Sequence, residues 1–160
     1  MYLVLPGKII GWVVTPSPFL FFWLNNIRYY FSRTISEGFT LKKRVADFIA
    51  DYLADNMMNQ IFTVTGGGAM HLNDAFGHHP ALNCVYNHHE QACAMAAEGY
   101  TRLGGKTSVV CVTSGPGGTN ALTGVMGAWL DSIPMIIISG QMKFKTTIAS
   151  TTVPLRQLGF

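Results

Sequence analysis

The sequence predicts an α/β fold, a doubly wound and mostly parallel sheet with helices on both faces. Three observations carry that prediction. Strand-like and helix-periodic stretches alternate from residue 42 to residue 138, the pattern of successive parallel βαβ units. Two of the strand-like stretches, 109–112 and 136–138, are continuously apolar, as expected of strands covered on both faces. Gly66 to Gly68, Gly115 to Gly118 and Gly140 stand at strand ends, the edge where ligands of such sheets collect.

Residues 1–40 stand apart as an atypical apolar N-terminal extension. The run 9–24 is almost wholly apolar and contains Trp12, Phe19, Phe21, Phe22 and Trp23. Pro16 and Pro18 interrupt it, and it falls short of the roughly 20 residues of a membrane-spanning helix. A membrane anchor is therefore disfavoured. Only Lys8 precedes the run, and the bulky Asn25-Asn26-Ile27-Arg28-Tyr29-Tyr30 after it makes a poor cleavage region, so a secretory signal does not fit either. The extension is expected to add little function, or else to cover an apolar subunit surface.

From Lys42 the pattern becomes regular. Val45, Phe48, Ile49, Tyr52 and Leu53 recur at helical spacing, which predicts an amphipathic helix ending at 56–59. Ile61-Phe62-Thr63-Val64 reads as a short buried strand. Thr65-Gly66-Gly67-Gly68 is then a turn whose backbone can approach a ligand or a neighbouring element closely, and 69–76 reads as a second helix. The alternation repeats: strand 83–86, helix 89–103, the turn Gly104-Gly105, strand 107–112, helix 118–130 and strand 135–138.

Composition narrows the function class. The 160 residues suit one compact domain, and a hydrophobic content of 49% suffices for a packed core. Charged residues make up 12%, the net charge is +3, and Lys42-Lys43-Arg44 is the only basic run. That is no electrostatic footprint for nucleic acid. Cys84, Cys93 and Cys111 lie in apolar settings without metal-ligand spacing, and read as reduced core residues suited to the cytoplasm. The paired histidines, His78-His79 and His88-His89, point in different directions on any regular element and do not make a zinc site.

The stretch Asn87-His88-His89-Glu90-Gln91-Ala92-Cys93 opens the Ala- and Met-rich third helix, so Glu90 falls in its first turn, near the positive end of the helix dipole. By itself this residue reads equally well as a carboxylate that stabilises its own helix. Ser114-Gly115-Pro116-Gly117-Gly118-Thr119-Asn120 follows a strand and opens a helix, a form that can cradle an anion. No Walker lysine follows, which argues against a nucleotide loop, and the G-x-S-x-G elbow that would make Ser114 a nucleophile is absent. Gln141, after Ser139-Gly140, reads either as an active-site side chain or as one satisfying loop backbone.

Taken together, the stretches at 87–102, 113–120 and 131–141 closely resemble the N-terminal, pyrimidine-binding domain of thiamine-diphosphate enzymes of the acetolactate synthase-like family. The resemblance runs over 41–160. It implies that Glu90 is the glutamate that hydrogen-bonds the aminopyrimidine ring and promotes the tautomer needed to deprotonate C2 of the thiazolium. Such an acid belongs in a desolvated cleft. The resemblance also puts Pro116 and Asn120 beside the pyrimidine, Gly66 and Gly67 among the cofactor-binding residues, and Gln141 near the substrate-derived group. His88, His89 and Gln91 are then supporting or interface residues. Thr63-Val64-Thr65 stands where many biosynthetic members carry Gly-Tyr-Pro, which leaves the 2-keto acid open.

The implied chemistry is 2-keto acid decarboxylation followed by carboligation, in the setting of branched-chain amino acid biosynthesis. The implied cofactor is thiamine diphosphate, whose diphosphate and Mg2+ belong to a separate domain with a Gly-Asp-Gly motif. No Gly-Asp-Gly occurs here. The expectation is therefore an incomplete pyrimidine domain at 41–160, truncated at the C-terminus, that works with another copy in a homo-oligomer or with a separate chain carrying the diphosphate domain. FAD is bound by some members and is left open. The alternative is a non-catalytic α/β assembly or regulatory module, or an inactive fragment of such an enzyme.

Overall fold

A computed structural model of the chain describes residues 3–4, 9–14 and 43–141. The rest of the N-terminal extension, including Pro16, Pro18 and the aromatic residues from Phe19 to Trp23, lies outside the described residues, as does everything after Gln141.

In chain order the elements are β1 (Leu3–Val4), β2 (Ile9–Val14), α1 (Val45–Asp55), β3 (Gln60–Thr63), a single 3-10 turn (Gly67–Ala69), α2 (Met70–His78), β4 (Asn83–Tyr86), α3 (Glu90–Gly104), β5 (Ser108–Val112), α4 (Pro116–Leu130) and β6 (Met135–Gly140). They build one sheet in the order β1-β2-β6-β5-β3-β4. The four strands β6, β5, β3 and β4 are mutually parallel. This is the parallel core that the alternating sequence predicts, with each boundary moved by at most a few residues.

The alternating strand residues fix which helix covers which face. Ile61, Val109, Cys111, Ile136 and Ile138 pack with Ala46, Ala50 and Leu53 of α1 and Leu72, Ala75 and Phe76 of α2. Their sequence neighbours Phe62, Val110, Val112, Met135 and Ile137 pack with Cys93, Ala94 and Ala97 of α3 and Ala121 and Ala128 of α4. Strand side chains alternate sides, and the parallel register sets Ile61 beside Val109 and Val109 beside Ile136. A one-residue slip would exchange the two cores, so the register is strongly specified. Each buried Val or Ile contributes roughly 1.5–3 kcal/mol. Every residue of β5 and β6 is buried, as the apolar runs predict.

Helix ends follow from local chemistry. His89 caps α3 by accepting the Gln91 backbone N–H at Nδ1 over 3.1 Å, which satisfies one of the unpaired first-turn donors. Gly105 closes the same helix at φ 64°, the left-handed conformation in which glycine avoids a Cβ penalty. Gly115 precedes α4 at φ 65° and ψ −126°, with Pro116 in the first helical turn, where its fixed φ suits the helix and its missing N–H costs nothing. The helix therefore starts two residues before the predicted 118.

One feature departs from the sequence reading. β2 runs antiparallel along the whole of β6, from Ile9 opposite Gly140 to Val14 opposite Met135, so part of the extension is a strand of the main sheet. The strand β4 lies at the opposite edge, and Val85 and Tyr86 are exposed. Of the cysteines, Cys93 and Cys111 are buried and Cys84 is half-buried, all three as free thiols. Among the described residues no helix is long and apolar enough to cross a membrane.

Candidate functional site

The sheet reverses its winding at one place. From β3 the chain goes outward to β4, then returns past β3 to β5 and on to β6. Ligands of open parallel sheets bind beyond the carboxyl ends of the strands at such a switch. The segments leaving those ends are 64–68 after β3, 87–89 after β4, 113–115 after β5 and Gln141 after β6.

Glu90 is the first residue of α3 and is half-buried. Its Oε2 accepts a hydrogen bond from Asn120 Nδ2 at 3.0 Å, which joins two residues that the sequence reading placed at the site separately. The other carboxylate oxygen faces Gly117. A Cβ built on Gly117 would lie 3.4 Å from Glu90 Oε1. Pro116, beside Gly117, is exposed at the start of α4.

Gly66 and Gly67 behave differently. A Cβ on Gly66 would fall 2.5 Å from Thr113 Cβ, so this glycine is required by close approach; a Cβ on Gly67 would meet nothing within 4 Å. Gly67 is exposed on the turn. Gln141 follows Gly140, whose own Cβ position would lie 2.4 Å from the Gly68 carbonyl carbon and oxygen. The end of β6 thus passes directly against the 66–68 turn. Glu90 and Asn120 meet side chain to side chain, Gly66 meets Gly117 through Thr113, and Gln141 joins the edge through its neighbour.

Thr113 itself, and Ser139, were not singled out by sequence. Ser139 Oγ donates to the Thr113 carbonyl at 3.1 Å, and Thr113 Oγ1 accepts the Gly68 backbone N–H at 3.0 Å. The only sequence signal was position at strand ends: Ser139 borders Gly140, and Thr113 stands two residues before Gly115. His88 and His89 are exposed, with His89 engaged as the cap of α3.

The charge pattern limits what this edge can hold. Residues 64–68, 87–91, 113–120 and 140–141 include no lysine or arginine, and the described residues contain no group of three or more His, Cys, Asp or Glu able to share a metal ion. A carboxyl hydrogen-bonded to a primary amide suits a neutral nitrogen heterocycle such as an aminopyrimidine, which needs in-plane hydrogen-bond partners. The same donor set does not suit a diphosphate. Cys93, three residues after Glu90, is no nucleophile at neutral pH: burial pushes its thiol up to about 11, with the Glu90 carboxylate acting in the same direction.

A family model described as thiamine pyrophosphate enzyme, N-terminal TPP binding domain, matches residues 43–153. The chain is 44% identical over 97 residues to an acetolactate synthase large subunit of Buchnera aphidicola subsp. Acyrthosiphon pisum, a match covering 61% of this chain and 17% of that protein. It is 40% identical over 97 residues to the acetolactate synthase isozyme 3 large subunit of Escherichia coli, with the same coverage. An acetolactate synthase of Arabidopsis thaliana, named as chloroplastic, is 36% identical over 100 residues, covering 62% of this chain and 15% of the relative. The match thus spans less than a fifth of each of these relatives.

Proposed function

The chain belongs to the thiamine pyrophosphate enzyme family, whose N-terminal TPP-binding domain it carries at residues 43–153, and from that premise we propose that it provides the pyrimidine half of a thiamine-diphosphate site with Glu90 as the activating acid. The single observation that carries the proposal is the Glu90–Asn120 hydrogen bond at the switch point of the sheet. Asn120 occupies Oε2 and so fixes the plane of the carboxyl group. Oε1 is thereby held on the Gly117 side, where a proton can be exchanged with a ring nitrogen in the plane of the carboxyl.

When bound, the cofactor supplies the electron sink for decarboxylation of a 2-keto acid and transfer of the resulting fragment to an acceptor. This chain's residues do the rest of the work on the pyrimidine side. Pro116 and the open backbone at Gly67 border the ring position, and Gln141, at the end of β6, lies on the side from which a keto acid would approach. The diphosphate and Mg2+ fall to a partner domain in this reading, because the described residues of this edge include no lysine or arginine. Leu122, Met126, Trp129 and Leu130 on α4 and Met95 on α3 are exposed. The α4 residues recur at helical spacing on one stripe, which supports association with a second copy or a separate chain carrying the diphosphate domain. Within this proposal the domain occupies 41–160, the compartment is the cytoplasm, and FAD binding stays open.

Calorimetric titration of thiamine diphosphate with Mg2+ tests the reading, on the full chain alone and with a diphosphate-binding domain taken from an acetolactate synthase large subunit. Binding is expected only with the partner. Glu90→Gln should retain binding within a few-fold while 2-keto acid turnover falls by about 100-fold or more, the usual scale for loss of a general acid or base. Unchanged turnover would remove the catalytic role of Glu90. Absence of binding in both arms would favour a non-catalytic assembly module.

A further inference from the structure

We propose that Thr113 is the positioning residue of the site, coupling the glycine turn after β3 to the helix start that faces Glu90. This inference rests on the cofactor reading above. The residue leaves β5 at the switch point and its half-buried side chain has two separate contacts. Its hydroxyl accepts the Gly68 N–H at 3.0 Å. Its methyl group, Cγ2, lies 2.7 Å from where a Cβ would stand on Gly117 and 2.7 Å from where one would stand on Gly66.

These contacts divide the labour between the two branches of one side chain. The hydroxyl sets the height of the 66–68 turn, because a hydrogen bond tolerates little displacement. The methyl sets how closely Gly117 approaches, and Gly117 is the backbone against which Glu90 Oε1 rests. The main chain of Thr113 is tied down in turn by Ser139 Oγ. Glycines at 66 and 117 admit this wedge, since a methyl on either would collide with it. Thr113 thus registers the cofactor-facing turn against the carboxylate without touching the reacting atoms.

Thr113→Val removes the acceptor and keeps the branched shape, whereas Thr113→Ser keeps the acceptor and removes the methyl. The first measurement is amide hydrogen exchange of Gly68 in the full chain, resolved by NMR. The valine variant should exchange about tenfold faster there, the scale of one lost hydrogen bond, and the serine variant should remain within about twofold of the parent. The second is the thiamine diphosphate and Mg2+ titration with the diphosphate-domain partner, where valine should weaken affinity about tenfold and serine should restore most of it on the same hydrogen-bond scale. Ser108→Ala serves as a control that perturbs the buried Thr101–Ser108 hydroxyl pair far from the turn, and it should leave both readouts unchanged. Unaltered Gly68 exchange in the valine variant would overturn the proposal. So would altered exchange with unaltered affinity, which would make Thr113 structural only. Faster Gly68 exchange in the valine variant, with a parent chain that binds no cofactor even with the partner, would instead sink the cofactor reading and leave the anchoring contact intact.

Discussion

At the scale of single residues, the buried thiols give the clearest prediction because their environment is set by the core. Cys111 sits on β5 with no exposed surface, and burial pushes its thiol up to about 12 from an ordinary value of 9.0. The native state therefore holds this proton more tightly than the unfolded chain. The resulting stability is fully present below pH 9 and is lost as pH rises toward about 12. Urea midpoints measured across that interval should fall, and Cys111→Ala should flatten the fall relative to its own neutral-pH value. A midpoint independent of pH over the interval would contradict the assignment. The Glu90–Asn120 contact belongs to this scale too. The sequence placed both residues on one edge, yet their spacing carried no sign that they would bond to each other.

At the scale of elements, α3 and α4 approach so closely that one of two helical glycines is obligatory and the other is not. A Cβ on Gly124 would lie 2.5 Å from Ala94 Cβ and 2.9 Å from the Met95 backbone nitrogen, so Gly124→Ala must push the helices apart. A loss of about 1–3 kcal/mol is expected, as for overpacking in general. A Cβ on Gly99 in α3 would meet nothing within 4 Å, and Gly99→Ala should stabilise by about 0.5–1 kcal/mol through the helix preference for alanine. Denaturant unfolding of the two variants should show opposite signs; equal effects would mean the helix contact is not as tight as described. Both glycines look alike in sequence, because helical periodicity reports which face is inward and not how near the next helix lies. The ends of α3 and α4 are joined outside the core by Arg102, which bonds Glu98 and Asp131. This pairing is exposed, so salt should screen it readily.

At the scale of the whole molecule, the consequential feature is the strand contributed by the extension. β2 covers β6 along its full length, and an uncovered edge strand is a template for pairing with another chain. Removing residues 1–14 is expected to raise the weight-average mass in sedimentation at a given concentration, while far-ultraviolet circular dichroism retains the helical signal of α1 to α4. Unchanged mass would show that the edge needs no cover. Pairing of β2 was not legible because its apolar run lacks strict alternation, and the partner strand lies far along the chain. The parallel core was legible in nearly every element. Its signals, alternating periodicities and glycine punctuation, are local properties of the chain.

The sequence by itself determined the order and type of the core elements, the two-faced burial of β5 and β6, and the edge on which Glu90, Asn120, the glycine turns and Gln141 collect. Periodicity and propensity act between neighbours, and neighbours are what a sequence displays. Only the tertiary structure decided that Asn120 bonds Glu90, that Thr113 wedges between Gly66 and Gly117, and that Ile9–Val14 pairs with β6. Those contacts join residues whose proximity depends on the crossing of helices and the twist and order of strands. Such distances are fixed by the packing of the entire domain, and no local pattern contains them.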